Sequence, residues 1–301
     1  MKIVIAGGSG FIGQAITKEL LRQQHDIYIL TRSPAAKKQI ENVTYIQWLG
    51  NQDEPEIFLD GVDVFINLAG ESLNSGRWTQ KRKQQILNSR ITTSKEIIRI
   101  ISVLEHKPKA LLNASAIGYY GVSNSRTYTE KDIVHPTDFL SETVSIWEKE
   151  SLKATEYGVR TVLMRFGLVL DKKAGALPKM VLPYKMLAGG KIGEGNQLLS
   201  WIHIDDVVQA TLFCIQNEEI DRAVNFTAPF PENMQTFGKT IASILNKPHW
   251  IPLPSGILKI GLGEMSTLLL DGQKVLPKKL EQHGYVFIFP TLETALSDIL
   301  I

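Results

Sequence analysis

The sequence predicts an α/β fold, a doubly wound parallel sheet followed by a smaller α+β C-terminal lobe. Three observations carry that reading. Short, continuously apolar runs recur through the first two thirds of the chain, as strands covered on both faces do. Helical patterns separate these runs, and such alternation builds a parallel sheet flanked by helices. After about residue 170 the texture changes, with glycines at 175, 189, 190, 193 and 195 and prolines clustered from Pro229 to Pro254.

The first strand is expected at residues 2–6, an apolar run that Gly7 and Gly8 interrupt too soon for an export signal. A helical pattern over 14–23 places Ile16, Leu20 and Leu21 on one side, and a second β run at 26–31 completes a strand–helix–strand unit. Further strands are expected at 43–48 and 62–69. A long helix follows over 79–104, rich in Lys, Arg and Gln at first and then apolar at Ile91, Ile97, Ile98 and Ile101. Residues 110–116 and a run within 158–170 supply the fifth and sixth strands, and helices are expected at 205–216 and 236–246. The domain division follows as 1–220 for the Rossmann unit, with 171–205 contributing to the cleft, and 221–301 for the smaller lobe.

Composition narrows the class. With 301 residues, 44% of them hydrophobic, the chain can bury a sizeable core. Its 33 basic and 31 acidic residues leave a formal charge of +2, too balanced for an electrostatic footprint on nucleic acid or an anionic membrane. The single cysteine, Cys214, excludes an internal disulfide framework and suits a reducing compartment. No run approaches the roughly 20 apolar residues of a membrane span, so a cytoplasmic protein with a small-molecule substrate is expected.

The sharpest motif is Gly7-Gly8-Ser9-Gly10-Phe11-Ile12-Gly13, set between strand and helix. The first glycine permits the tight turn, Gly10 lets backbone approach a pyrophosphate at the helix N-terminus, and Gly13 allows close packing. At the end of the second strand stand Thr31 and Arg32, where a carboxylate would accept from a ribose 2′-hydroxyl. A guanidinium there pairs with a 2′-phosphate instead, so NADP is predicted over NAD. Tyr119 and Tyr120 follow the fifth strand at its carboxyl end, the ligand-binding side of such sheets, and either phenol is a candidate proton donor. Glu71, Ser72, Arg77 and Trp78 follow the fourth strand and are candidates for a substrate pocket. Asp205 and Asp206 stand where carboxylates cap a helix, and His203 reads as a core or hydrogen-bonded residue. No His/Asp/Glu cluster has metal-ligand spacing.

These motifs, with Asn67-Leu68-Ala69-Gly70-Glu71, Gly76-Arg77-Trp78, Asn88-Ser89-Arg90, Gly118-Tyr119-Tyr120-Gly121, Arg165 and Ser200-Trp201-Ile202-His203, resemble the atypical extended short-chain dehydrogenases/reductases of the NAD-dependent epimerase family. The tail at about 248–298, through Gly261-Leu262-Gly263-Glu264 to Gly284-Tyr285, is similar to that group's C-terminal domain of unknown function. The resemblance implies that Leu68, Ala69 and Gly70 border the adenosine and pyrophosphate, that Arg90 reaches the cofactor, and that Val169 flanks the nicotinamide.

The chain departs from the superfamily where chemistry is concerned. The Tyr-x-x-x-Lys register falls on Phe139 and Thr143, and Ala116 replaces the usual Ser/Thr, leaving Ser115 one residue early to orient a substrate. The arginine that clamps a sugar nucleotide's diphosphate is Leu199, which has no donor. The expectation is an NADP-dependent oxidoreductase or epimerase-like enzyme acting on a small non-nucleotide carbonyl or alcohol. The alternative is a catalytically silent NADP-binding sensor or interaction protein. The apolar tail leaves two roles open, a cap on the cleft or a homodimer contact.

Overall fold

The computed structural model describes residues 1–123 and 125–301. In chain order, β1 is Lys2–Ala6, α1 Phe11–Arg22, β2 Asp26–Thr31, β3 Val43–Gln47, β4 Val64–Asn67, α2 Gln80–Val103 and β5 Ala110–Ala116. Then come β6 Thr127–Tyr128, α3 Phe139–Ser151, β7 Arg160–Phe166, β8 Leu168–Leu170, α4 Leu177–Lys185, β9 Leu198–Leu199, β10 Trp201–His203, α5 Ile204–Gln216 and β11 Arg222–Phe226. The lobe continues with β12 Glu232–Asn233, α6 Met234–Ile244, α7 Ser255–Leu262, α8 Thr267–Leu270, β13 Lys274–Val275, α9 Lys278–Gln282 and α10 Leu292–Leu300.

The main sheet has seven strands in the order β11-β7-β5-β4-β1-β2-β3, and all its pairings are parallel. The order reverses about β1, so the crevice for a ligand opens at the carboxyl ends of β1 and β4. Alternation along β1 builds both layers, because successive side chains leave opposite faces. Ile3 and Ile5 pack with Ile16 and Leu20 of α1 and Val207 of α5, whereas Val4 and Ala6 pack with Ile97 and Ile101 of α2. A separate core of Leu177, Val181, Trp201, Phe237, Ile241 and Leu296 holds the lobe together.

Two differences from the sequence reading have local causes. The seventh strand, β11, lies beyond the expected boundary at 220; its five residues, Arg-Ala-Val-Asn-Phe, mix polar and apolar types and carry no signal of a central-sheet strand. Helix α5 is capped by His203, whose Nδ1 accepts from the Asp205 N–H, and not by an aspartate. Asp206 instead accepts from the N–H groups of Ile288 and Phe289 and from the Tyr285 hydroxyl, fastening the segment before α10. Among the described residues no helix is long and apolar enough to cross a membrane.

Candidate functional site

The turn after β1 is built for close approach. Gly7 has φ +80, and a Cβ there would stand 2.7 Å from the Leu68 carbonyl carbon. A Cβ on Gly13 would collide with the Gly7 carbonyl oxygen, so α1 packs against the turn only with glycine. Gly10 donates to that same oxygen at 2.9 Å and is the N-cap of α1, yet has no side chain to satisfy the first-turn N–H groups. An uncapped N-terminus beside a Gly-lined turn fits a phosphate. Leu68 and Ala69 border the turn on the β4 side. Phe11 and Val169 meet at Gly175, where a Cβ would lie 3.8 Å from the Phe11 ring and 3.3 Å from the Val169 oxygen.

Thr31 ends β2, one residue beyond the register pair Ala6 and Leu30, and Arg32 follows it, exposed. Among the described residues no carboxylate pairs with Arg32, which leaves its fork for an anionic group at this end of the crevice.

A second cation lies deeper. Arg90, on α2, donates from Nη1 to the Glu71 and Ile86 carbonyl oxygens at 3.1 and 3.0 Å, packs over the Trp147 ring, and sits against Gly70. The Glu71 carboxylate bonds Arg82 instead, at 3.0 Å. Burial pulls the Arg90 guanidinium down to about 10, against the pull of the nearby Glu71 carboxylate, and its direct hydrogen-bond partners are neutral carbonyls. An anion beside it relieves that cost, so the residues present fit a dinucleotide phosphate.

The other candidates after β4 are engaged within the protein. Arg77 donates to the Ile260 and Gly261 carbonyl oxygens, tying this loop to the end of α7. Trp78 is buried, donates to the Leu73 oxygen at 3.0 Å, and meets the Phe139 ring edge-on. Both side chains are thus engaged by protein groups, and the Glu71 carboxylate is held by Arg82.

At the carboxyl ends of β5 and β7 a buried polar chain appears. Ser115 donates to Glu148 Oε1 at 2.5 Å, and Arg165 binds the same carboxylate through Nε and Nη2 at 2.8 and 2.7 Å. Arg165 Nη1 donates to the Tyr120 hydroxyl at 2.9 Å, which donates in turn to Asn225 Oδ1 at 2.8 Å. Burial pushes the Tyr120 phenol up to about 12 despite the adjacent guanidinium. For Arg165 burial opposes the charge, but the Glu148 carboxylate outweighs it and the guanidinium is held more firmly cationic than usual. Tyr119 differs from its neighbour: it is half-buried, its hydroxyl bonds no protein group among the described residues, and Arg165 Cζ stands 3.5 Å from its ring centroid. Of the sequence candidates, Tyr120 and Ser115 are committed to this network, whereas the Tyr119 ring packs with Tyr120, Tyr128 and Val275 and leaves its hydroxyl without a protein partner among the described residues.

Where the superfamily's tyrosine and lysine would stand, Phe139 opens α3 beneath Trp78 and the Lys83 ammonium, and Thr143 is buried. Leu199 is buried in the lobe core. Glu148 and Asn225, central to the network, have no sequence signal: one is a mid-helix glutamate, the other lies in the unrecognised β11. His203 lies near Asp205 and Asp298, but an Nδ1 that accepts a backbone N–H leaves the proton on Nε2, 3.3 Å from the Asp298 carboxylate, with no lone pair for a metal.

Comparison with known proteins places this geometry. The model of the NAD dependent epimerase/dehydratase family matches residues 3–226, and that of a domain of unknown function (DUF1731) matches 253–299. The chain is similar to epimerase family protein YfhF of Bacillus subtilis, 48% identical over all of this chain and 98% of that protein. It is also similar to epimerase family protein SH2119 of Staphylococcus haemolyticus, 42% identical over 99% of each. Among solved structures, human epimerase family protein SDR39U1 (isoform2) with NADPH superposes with TM-score 0.87 at 29% identity over 99% of both chains. UDP-glucuronic acid 4-epimerase from Bacillus cereus, in complex with NAD, shares the fold at TM-score 0.79 and 15% identity, over 99% of this chain and 98% of that one.

Proposed function

This chain belongs to the NAD dependent epimerase/dehydratase family, and on that premise we propose that it is an NADP-dependent oxidoreductase or epimerase-like enzyme acting on a small, non-nucleotide carbonyl or alcohol. That it is an NAD(P)-binding protein of the atypical extended short-chain type follows from the family. NADP is favoured by Arg32, which pairs with no carboxylate among the described residues, and by the NADPH in the human relative. Gly7, Gly10, Phe11, Ile12 and Gly13 form the phosphate turn, Thr31 and Arg32 the adenosine end, Leu68, Ala69 and Gly70 the opposite wall, and Arg90 and Val169 the inner end.

One observation carries the enzymatic reading: Arg165 lies 3.5 Å from the ring of Tyr119, at the carboxyl end of the sheet. The bound cofactor supplies or accepts hydride. Tyr119 passes its phenolic proton to a substrate carbonyl oxygen, and the fixed guanidinium stabilises the charge left on the ring. Glu148 and Tyr120 position Arg165, and Ser115 holds Glu148. Leu199 offers nothing to a diphosphate. The substitution of Phe139 and Thr143 for the tyrosine–lysine pair supports the second reading, a silent NADP sensor.

Titration with NADPH and NADH, followed by a screen of cofactor oxidation against aldehydes, ketones and quinones, separates the two. Tight NADPH binding with turnover that Tyr119→Phe abolishes supports the enzyme. Tight binding without turnover across the panel favours the sensor, and preference for NADH overturns the cofactor assignment.

A further inference from the structure

The near-neutral total charge conceals a one-sided distribution. Residues 172–193 contain Lys172, Lys173, Lys179, Lys185 and Lys191 and no carboxylate, and residues 233–263 contain Lys239, Lys247 and Lys259 and again none. All eight lysines are exposed. The rest of the chain therefore carries 25 basic against 31 acidic residues, from totals of 33 and 31.

The fold brings the two segments together. Trp250 donates from Nε1 to the Leu187 oxygen at 2.8 Å and from its backbone to Gly189, Leu253 donates to the Lys191 oxygen at 2.7 Å, and the Tyr184 hydroxyl meets His249 Nδ1 at 3.0 Å. Within these two segments large apolar side chains stand out from the protein: Met186 is 69% exposed, Trp250 66%, Ile257 59% and Ile260 79%, and Leu182 and Leu187 are exposed too. Carboxylates flank the two segments, Asp171 and Glu194 the first and Glu232 and Glu264 the second, with Glu264 bonded to Lys83 and Asp271 near Lys259.

We propose that this face docks on an anionic phospholipid bilayer. Side chains exposed to this degree are protrusions, since the wall of a groove would cover them; a folded partner would need a matching pocket for each, whereas the acyl boundary of a bilayer takes them as they stand. The short helix α7 offers Ile257 and Ile260 with Lys259 between them. Trp250 is the residue type that settles at the headgroup level, and lysines beside apolar tips extend to lipid phosphates. The lysines attract the negative leaflet and the apolar tips make the attachment hold.

The test uses the full chain with phosphatidylcholine vesicles and with vesicles of phosphatidylcholine and phosphatidylglycerol in a three-to-one ratio. Co-sedimentation is expected only with the anionic vesicles. The charge variant Lys185→Glu/Lys259→Glu should weaken partitioning at least about tenfold, and so should the apolar variant Trp250→Ala/Ile257→Ser/Ile260→Ser. Brominated acyl chains should quench part of the tryptophan emission in the parent chain and not in Trp250→Phe. NADPH binding and the unfolding midpoint of each variant, unchanged from the parent, establish that the fold is intact. Absence of binding to anionic vesicles overturns the proposal. So does binding that the apolar variant retains in full, which would mean loose electrostatic contact, or capture of an acidic protein by this face when vesicles fail.

Discussion

Arg165 and Tyr119 are stacked, guanidinium carbon 3.5 Å from ring centroid, while the same guanidinium is gripped by Glu148 at 2.7 and 2.8 Å. A cation so placed cannot follow its aromatic partner about; the ring must come to it. Burial and hydrogen bonding distinguish the two adjacent tyrosines: Tyr120 is buried between Arg165 and Asn225, while Tyr119 is half-buried and its hydroxyl bonds no protein group among the described residues.

Exchanging the two phenols should separate stability from turnover. Tyr120→Phe leaves Arg165 Nη1 and Asn225 Oδ1 buried without a partner, and should cost about 1–3 kcal/mol in urea unfolding. Tyr119→Phe removes no protein hydrogen bond among the described residues and should leave unfolding within about 0.5 kcal/mol of the parent, while lowering turnover by about 100-fold or more.

Glu148→Gln should be among the most damaging single changes in the core. It strips a buried cation of its counter-charge, a loss of about 3–5 kcal/mol. Adding Arg165→Met should restore much of this, a coupling that a double-mutant cycle reads directly. Additive losses would show that the pair is not energetically linked.

Arg32→Ala should weaken NADPH and spare NADH. With one charge-assisted bidentate contact at stake, the expected loss is about 10- to 100-fold in the NADPH dissociation constant, followed by fluorescence titration. Equal weakening of both cofactors would place Arg32 away from the 2′-phosphate.

Stability should fall on mild acidification because of His203. Burial lowers its pKa from the ordinary 6.5, against the pull of Asp205, Asp298 and Asp206. A lowered pKa in the fold means that the unfolded chain takes up the proton first. The stabilisation is thus complete above about 6.5 and is lost progressively as the pH falls from there through the lower native pKa. Urea midpoints at about pH 7.5 and about pH 5.5 should differ, and His203→Asn, which keeps a cap acceptor without a titrating group, should reduce the difference.

The glycine turn, the long helix after β4 and the placement of Tyr119 at a strand's carboxyl end were legible because each is written locally, in spacing or periodicity. What connects distant positions was not. Nothing near Glu148 announces that it faces Ser115 and Arg165, and Asn225 reaches Tyr120 only because β11 adds to the sheet edge. Arg77 and Trp78 read equally well as pocket lining or surface loop, and their partners, the Ile260 and Gly261 carbonyls for one and Leu73 and Phe139 for the other, are distant or non-periodic contacts that no local pattern announces. Asp206 follows the same rule: its local position suggested a cap, while its carboxylate serves backbone groups more than eighty residues away.

The short pairing of β13 with β6 also bears on how the protein is made. Asn225 donates to the Leu276 oxygen, Gln273 donates to the Ile117 oxygen behind Tyr119, and Ser200 bridges Gln273 and Val275. Chains fold from the N-terminal end as they leave the ribosome, so the nucleotide turn can assemble while the region around Tyr119 still lacks these late partners. The nascent protein should form the glycine turn first and order the surroundings of Tyr119 only when its last tenth emerges.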